Sequence, residues 1–378
     1  MDKAKSTADA VVIGGGIMGC AAAYYLLKVG VKKVALVEKG AICSGSSGRC
    51  AGGFRQQFPT RAECQLAKES IGMFAELQRE LEYDFEYRPG GYLVLSYNDA
   101  HAADAKEKIA MQNEVGIDVR WVTPSEIDGM APWLNREEGY VGAAWCPSDG
   151  VLNPFKFVLA FAQAFKRLGG VILDHNPVTG ITVHESGSYT VHTGQCDIAT
   201  GKLINCTGAY AKTIGDMLGV DIPVVPLARE KFVTEPVKFF QPFLCNSPLH
   251  TLHFNQTNHG SFLMSCADMS IPQRGDLKNT WHFAQQTANA VRKLVPSLRK
   301  VKIVRQWAGY YETTFDAKPF IGGIPGLKDY VQVVGGNGHG LMLGPAAAKA
   351  AVSDLLGGGV PEWYGAFDMG RVPLAVGD

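Results

Sequence analysis

Three glycines near the start of the chain have the spacing of a phosphate-binding turn. Gly14, Gly16 and Gly19 follow a short apolar run that ends at Ile13, and a segment rich in Ala and Leu, typical of a helix, comes next. The first glycine permits a tight turn, the second lets a pyrophosphate approach the backbone, and the third lets helix and strand pack closely. The positive end of the helix dipole would hold the phosphates. The spacing therefore predicts a dinucleotide-binding turn.

A carboxylate stands where an adenosine ribose needs a hydrogen-bond acceptor. Glu38 comes nineteen residues after Gly19, at the end of a second apolar run that starts at Lys33. Its oxygens would accept hydrogen bonds from the ribose hydroxyls. Strand, helix and strand then form a βαβ unit of about 30 residues, which implies parallel strands joined by a right-handed crossover.

The turn alone is compatible with either FAD or NAD, and three other segments favour FAD. A loop rich in Gly and Ser over residues 44–53 could line a long, polar cofactor. Residues 203–211 form a strand that runs into Thr-Gly-Ala, and residues 337–345 form a third glycine turn, after which Pro345 is predicted to open a helix. The dipole of such a helix would stabilise an anionic reduced flavin. A second G-x-G-x-x-G in a βαβ context is missing from the sequence, so electrons would come from a substrate held against the flavin.

Length and composition narrow the class of protein. The chain has 378 residues, 46% of them hydrophobic and 19% charged, which indicates one large or two intertwined domains and excludes a disordered, collagen-like or coiled-coil protein. Basic and acidic residues both number 36, so the sequence gives no electrostatic indication of a nucleic-acid or anionic-membrane partner. We expect no transmembrane segment and a cytoplasmic location, because the apolar runs are short and residues 1–10 lack a signal-peptide core.

The order of predicted elements indicates an α/β fold in two parts. Parallel α/β pieces at both ends of the chain flank a stretch rich in strands from Val224 to His259. This order predicts a nucleotide-binding domain assembled from separated segments, into which a substrate domain is inserted.

Seven stretches of the chain resemble the D-amino-acid oxidase superfamily of flavoproteins. Within it, the sequence is most similar to the group of sarcosine oxidase β-subunits, glycine oxidases and dye-linked L-proline dehydrogenases. The stretches run in family order from residue 11 to about residue 350 and are VVIGGGIMGCAAAYYL, VALVEKG, SGSSGRCAGGFRQQF, DGVLNPFKFVLAFA, LINCTGAYA, WAGYYETTFDAKPFIGGIPG and GNGHGLMLGP.

The resemblance implies a fold and an activity. The fold would be a Rossmann-like FAD-binding domain of the glutathione-reductase type, with an inserted, mostly antiparallel β-sheet substrate domain. The expected FAD-binding segments are 1–85, 145–222 and 309–378, and the expected substrate-domain segments are 86–144 and 223–308. The activity would be FAD-dependent oxidation of a small amino, imino or N-methylated amino acid (sarcosine, proline or glycine-like). A hydride would pass to flavin N5 and the imine product would be hydrolysed.

The resemblance also assigns residues to the cofactor and to the substrate. Arg55 matches an arginine that grips the substrate carboxylate in relatives, which suits a planar guanidinium, although a salt bridge at the surface or in the flavin loop is the alternative. Tyr311 would hydrogen-bond the carboxylate or pack in the core, and His339 lies in the turn expected under the flavin. The expected FAD-binding residues are Gly14, Gly16, Ile17, Met18, Gly19, Glu38, Lys39, Ser46, Ser47, Arg49, Gly52, Gly53, Val178, Cys206, Thr207, Gly208, Gly338, His339, Gly340, Leu341 and Met342.

Several positions depart from the pattern of the relatives. Gly309 stands where monomeric sarcosine oxidases carry a flavin-linked cysteine, and Arg49 and Cys50 stand where other relatives carry a flavin-linked histidine, so we expect non-covalent FAD. Met342 replaces a lysine that would bind the carboxylate. Residues 263–268 contain no clear counterpart of the oxygen-activating lysine, which favours a dehydrogenase that passes electrons to a partner subunit or an external acceptor.

Redox-active cysteines, a metal site and two other functions are the alternatives to this interpretation. Cys43 and Cys50 are separated by six residues rather than the four of disulfide reductases, so we interpret them as structural thiols. His250 and His253 would point to opposite faces of a strand, so no metal site is predicted. Two functional alternatives stay open, namely a flavin hydroxylase-type enzyme reduced by NAD(P)H, and a catalytic or electron-relay β-like subunit of a multi-subunit amine dehydrogenase.

Overall fold

The computed structural model describes residues 4–266 and 275–372. The helices of the described residues are α1 (Ile17–Lys28), α2 (Arg61–Gly72), α3 (Phe74–Glu80), α4 (Asp99–Glu114), α5 (Pro124–Met130), α6 (Pro154–Arg167), α7 (Ala211–Leu218), α8 (Trp281–Leu294) and α9 (Gly340–Leu355). The strands are β1 (Ala4–Ile13), β2 (Val34–Val37), β3 (Gly53–Phe54), β4 (Arg88–Pro89), β5 (Tyr92–Ser96), β6 (Arg120–Val122), β7 (Gly142–Cys146), β8 (Gly150–Val151), β9 (Val171–Leu173), β10 (Val178–Val183), β11 (Tyr189–Thr193), β12 (Cys196–Asn205), β13 (Val225–Thr234), β14 (Leu244–Ser247), β15 (Leu252–Gln256), β16 (Phe262–Cys266), β17 (Ile303–Thr313), β18 (Phe320–Gly322) and β19 (Tyr330–Val334).

The first large sheet carries the predicted nucleotide-binding turn. Its order is β10-β11-β12-β1-β2-β9, and β19 pairs with β12 and β18. Strands β1, β2, β9, β12 and β19 are parallel, which confirms the predicted βαβ unit. Val11 and Val12 of β1 are both fully buried because α1, α6 and α9 cover one face of the sheet while α7 packs against the other.

The second large sheet is almost wholly antiparallel. Its order is β17-β13-β16-β15-β14-β5-β7-β6, with β14 and β5 as its parallel pair. Its strands come from residues 92–146 and 225–313, between the segments that form the first sheet. The predicted α/β fold with an inserted antiparallel sheet is therefore confirmed. The domain boundaries stay a prediction, and β7 and β17 run across two of them.

Helix α9 begins earlier than the sequence predicts. It starts at Gly340, so Pro345 lies inside the helix rather than opening it. Proline disfavours a helical conformation of the preceding residue by clashes with that residue's backbone N–H and Cβ, and Gly344 removes the second of these. The amino end of α9 is consequently the glycine turn itself, with His339 as its N-cap residue.

Helix α1 packs against the turn that precedes it at a distance only glycine allows. A Cβ at position 19 would lie 1.8 Å from the carbonyl oxygen of Gly14. Gly14 has a φ of +111°, and its own Cβ would lie 2.4 Å from the carbonyl oxygen of Cys206. The amino end of α1 is thereby held against the ends of both β1 and β12, as the third glycine of the motif predicts.

No helix in residues 4–266 or 275–372 is both long and apolar enough to cross a lipid bilayer.

We predict that Gly19→Ala lowers the free energy of unfolding by about 3 kcal/mol or more, since the added methyl group overlaps a backbone oxygen that cannot move independently. Gly129→Ala is the matched control, because Gly129 lies in helix α5 with no atom within 4 Å of the added Cβ. Because Ala favours a helix more than Gly does, Gly129→Ala should leave the free energy of unfolding unchanged or slightly raised. Urea unfolding followed by circular dichroism measures both variants, and equal stability of the two would contradict the packing argument.

Candidate active site

One cavity collects the predicted site residues. It has a volume of about 580 Å³ and is lined by residues of both large sheets. Every residue expected to contact cofactor or substrate lines it except Gly19, which lies behind the wall in the helix-packing position. Their individual roles stay predictions, but the structure brings them together around a single space.

The glycine turn at one end of the cavity has the chemistry of a phosphate site. Gly16 is the N-cap residue of α1, which carries no acidic residue in its first turn and no side-chain cap. The backbone N–H of Ile17 donates to Ser47 Oγ at 3.1 Å, and a Cβ at Gly16 would lie 3.1 Å from the same oxygen. The turn thus leaves a shallow cradle with positive potential that fits a pyrophosphate.

Glu38 ties this turn to the next loop. Its Oε2 accepts from the N–H of Gly15 at 2.6 Å and its Oε1 accepts from the N–H of Gly40 at 2.8 Å. A carboxylate has about four acceptor positions, so these two bonds leave capacity for ribose hydroxyls. Lys39 lies beside it, with its ammonium 3.0 Å from the centre of the Tyr210 ring. The adenosine end of FAD fits these groups.

The turn before α9 lines the same cavity. Gly338 has a φ of +81°, and a Cβ there would lie 2.4 Å from the ring of Tyr311. The N–H of Gly336 donates to Glu312 Oε2 at 3.1 Å. Burial raises the pKa of Glu312, and this hydrogen bond opposes the rise. Glu312 was not predicted from the sequence, and it fixes the backbone that presents the amino end of α9 to the cavity.

Arg55 and His339 are in direct contact. Arg55 Nη2 donates to His339 Nε2 at 2.9 Å, and Arg55 Nη1 donates to the carbonyl oxygen of Gln57 at 2.5 Å. The guanidinium also lies over the ring of Phe58, 4.5 Å from its centre. Burial, and then the charge of Arg55, lower the pKa of His339 well below its usual value, so the imidazole is a neutral acceptor. Arg55 forms no ion pair with a carboxylate of the described residues.

A buried carboxylate holds the segment that carries Arg55. Asp149 Oδ1 accepts from the backbone N–H of Gln56 at 2.8 Å, and Oδ2 accepts from Gln57 Nε2 at 3.1 Å. Asp149 is fully buried, and burial raises its pKa to about 6 against the effect of these hydrogen bonds and of Arg55. Asp149 therefore acts through Gln57 to set where the guanidinium lies.

Sequence reasoning missed the side chains that the antiparallel sheet contributes. Arg229, Lys231, Asn246, His253 and Asn255 all line the cavity. Burial lowers the pKa of His253 to about 3, and the charges of Lys231 and Arg55 add to this effect. For Arg229 and Lys231, the sequence signal is the alternation of side chains along strand β13. That alternation does not show which face of the sheet meets the cavity.

Three further expectations from the sequence concern His250, the pair Cys43 and Cys50, and the segment 263–268. His250 bonds Ser247 Oγ and Glu138 Oε2, at 2.7 and 2.8 Å, and does not line the cavity. Cys43 and Cys50 are both free thiols, and burial raises the pKa of Cys43 to about 12, which makes its thiolate scarce. In the segment 263–268, Leu263, Met264 and Ser265 line the cavity, while residues 267 and 268 lie outside the described residues.

Gly309 and Arg49 lie against each other. A Cβ at Gly309 would lie 2.8 Å from Arg49 Cβ, and Arg49 Nη1 donates to the carbonyl oxygen of Ala308 at 3.0 Å. Trp307 Nε1 in turn donates to the carbonyl oxygen of Arg49 at 2.9 Å. Strand β17 and the Gly- and Ser-rich loop thus close one side of the cavity without a cysteine or histidine at either of these two positions.

Comparison with known proteins agrees with this geometry. The sequence model of a family described as FAD dependent oxidoreductase (DAO) matches residues 9–353. Sarcosine oxidase subunit beta of Rhodobacter capsulatus is 26% identical over 328 residues, which are 85% of this chain and 78% of that protein. L-proline dehydrogenase from P. horikoshii has a crystal structure with a TM-score of 0.90 and 32% identity, over 96% of this chain and 97% of that one. Glycine oxidase from Geobacillus kaustophilus shares the fold, with a TM-score of 0.89 and 22% identity over 97% and 99% of the two chains.

We predict that Asp149→Asn changes how stability depends on pH. Because the folded protein binds the Asp149 proton more tightly than the unfolded chain, this group stabilises the wild type at acid pH. That contribution is lost as the pH rises from about 4 through about 6, and it amounts to roughly 3 kcal/mol. The stability difference between wild type and variant should therefore shift in the variant's favour over this range and level off above it.

Urea unfolding at a series of pH values measures this difference, and contributions of other groups cancel because both proteins share them. Asp118→Asn, which replaces an exposed carboxylate, is the matched control. A difference between wild type and Asp149→Asn that is the same at pH 4.5 and pH 7 would show that Asp149 is not a buried group with a raised pKa.

Proposed function

The chain belongs to the family of FAD-dependent oxidoreductases, and from this premise we propose that it oxidises a small amino, imino or N-methylated amino acid. The observation that carries the proposal is Arg55, a guanidinium that faces the cavity and has no ion pair with a described carboxylate. Two of the relatives support the substrate class, because one is a sarcosine oxidase subunit and one an L-proline dehydrogenase. Sarcosine, proline and glycine are the first candidates.

FAD, when bound, supplies the hydride acceptor, and the residues of the two glycine turns would hold it. The turn at Gly14 and Gly16 would bind the pyrophosphate, and Glu38 would bind the ribose. The amino end of α9 at Gly340 would place its positive dipole end near the flavin. We propose that the attachment is non-covalent, since Gly309 and Arg49 occupy the positions of the flavin-linked residues of some relatives.

Arg55 would bind the substrate carboxylate. Its guanidinium has five N–H donors, and the bonds to His339 and Gln57 use two of them. The remaining donors allow a charge-assisted contact with a carboxylate. Tyr311 lies close to Gly338 on the same cavity wall, where its hydroxyl can orient the substrate.

The two cavity histidines would keep the substrate amine in its reactive form. His253 and His339 both have lowered pKa values, so neither ring carries a positive charge at neutral pH. His339 Nε2 is engaged with Arg55, whereas the neutral ring of His253 keeps an acceptor nitrogen that can accept a hydrogen bond from an N–H of the substrate amine. The positive charges of Lys231 and Arg55 would disfavour a substrate ammonium, and the neutral amine has the nitrogen lone pair that drives hydride departure.

We further propose that the electrons leave to an external acceptor or a partner subunit. The relative from Rhodobacter capsulatus is a subunit by name, which supports a partner chain. The segment 263–268 has no clear counterpart of the oxygen-activating lysine, and its Met264 and Ser265 line the cavity. The cytoplasmic location expected from the sequence stays a prediction.

We predict that anaerobic mixing with sarcosine, L-proline or glycine bleaches the flavin absorbance of the wild type. Arg55→Ala should lower kcat/KM for flavin reduction about 10- to 150-fold, the range of a hydrogen bond to a charged group, and Arg55→Lys should fall between. Arg136→Ala, which removes an exposed ion pair with Asp128, is the matched control. Unchanged reduction in Arg55→Ala, or reduction by NADPH alone, would contradict the proposal, and the second result would favour a flavin hydroxylase-type enzyme.

We predict that the substrate-reduced protein is reoxidised faster by an artificial dye than by air. The comparison uses stopped-flow absorbance of the flavin, with air-saturated buffer and with an anaerobic dye solution. Faster reoxidation in air would show that the protein is an oxidase, with molecular oxygen as its acceptor.

A further inference from the structure

The acidic residues of the cavity are committed to its backbone. Among the described residues, Glu38 and Glu312 are the carboxylates that line it. Glu38 accepts from the N–H groups of two glycines, and Glu312 accepts from the N–H of Gly336. Both therefore serve the glycine turns, and neither forms an ion pair with a cation on the opposite wall.

Lys231 differs from other cations of the cavity. Lys39 stacks on Tyr210, and Arg49 donates to backbone carbonyls. Lys231 lines the cavity and is half-buried, yet its ammonium makes no hydrogen bond or ion pair with any residue of 4–266 or 275–372. A partly desolvated ammonium with no partner among the described residues is costly to bury, so an anion bound in the cavity would be a favourable partner.

The strand register fixes the side of the sheet to which Lys231 points. Lys231 pairs with Trp307 of β17, and side chains alternate along β13. Its neighbour Glu230 lies on the other face, where it accepts from Thr280 and from Gln306 Nε2, at 2.7 and 2.6 Å. Glu230 is therefore satisfied elsewhere and does not neutralise Lys231.

A row of small polar groups continues from Lys231 across the sheet. Ser265, His253 and Asn246 lie side by side on β16, β15 and β14, and all three line the cavity. The pair Phe232 and Met264 places Ser265 next to Lys231. With strands about 4.8 Å apart, this row extends about 10 Å from Lys231 to His253. The Ser265 hydroxyl donates to the carbonyl oxygen of Glu230 at 2.8 Å, so the imidazole of His253 is the next group along the row whose N–H can hydrogen-bond an anion held by the ammonium.

His253 lies within the field of two cations. Burial is the main cause of its lowered pKa, and Lys231 and Arg55 are the next causes. The imidazole therefore stays neutral between two positive groups, one on the antiparallel sheet and one on the loop after β3. The cavity can therefore bind two negative groups of one ligand, one at Arg55 and one at Lys231.

We propose that Lys231, with His253 further along the row, forms a second anion subsite, and that the substrate is a small amino acid with a second carboxylate. This inference rests on the proposed function, in which Arg55 binds the α-carboxylate. The subsite selects dicarboxylic amino acids or their N-methyl forms over neutral ones of the same length.

The test uses the full-chain protein with FAD bound and two matched pairs of probes. Glutarate and butyrate, which carry no amine to oxidise, are titrated while the flavin spectrum is followed. L-Glutamate and L-norvaline, each also in its N-methyl form, are then mixed anaerobically to measure flavin reduction. The variants are Lys231→Met and Lys231→Arg, and the control is Lys238→Met, which changes an exposed lysine outside the cavity.

We expect wild type to bind glutarate about 10- to 100-fold more tightly than butyrate, in line with one charge-assisted contact. Lys231→Met should abolish this preference, Lys231→Arg should retain part of it, and Lys238→Met should equal wild type. Equal binding of the two acids, or an equal loss for both in Lys231→Met, would overturn the subsite. If amino acids reduce the flavin without such a preference, the subsite fails and the proposed function stands. If glutarate is preferred but no amino acid reduces the flavin, the subsite stands and the proposed function fails.

Discussion

The close contact between the amino end of α1 and the ends of β1 and β12 is the constraint on which the site depends. The carbonyl oxygen of Gly14 occupies the place of a side chain at position 19, and the carbonyl of Cys206 occupies the place of one at position 14. Because backbone meets backbone here, the N–H groups at the amino end of α1 reach the edge of the cavity. The side-chain carboxylate of Glu38 then bonds the turn to the following loop.

The part of the cavity around Arg55 depends on charged side chains rather than on close packing. Arg55 is held by His339 and Gln57, and Gln57 is held by the buried carboxylate of Asp149. A guanidinium fixed in this way loses little conformational entropy when it binds a carboxylate. Burial, and then the charge of Arg55, lower the pKa of His339, and the neutral ring accepts from Arg55 as a protonated ring could not.

Local sequence signals predicted the parts of the site that depend on glycine, and they failed where distant strands decide. The glycine spacing from Gly14 to Gly19 is enough to predict the geometry of the turn, because few other residues fit such turns. Lys231 and Asp149 carry no comparable signal, since one faces the cavity through the register of β13 with β17, and the other meets a loop more than ninety residues away. The start of α9 was misplaced because Pro345 is a strong local start signal, which Gly344 neutralises.

The central claim is that one cavity holds FAD, without a covalent bond, between the glycine turns and the antiparallel sheet. The most direct measurement is the flavin content of the purified protein after incubation with FAD and removal of the excess. The account predicts a yellow protein with one FAD per chain, all of which passes into the supernatant when the protein is precipitated with acid. Protein that takes up no FAD, or flavin that stays in the precipitate, would contradict it.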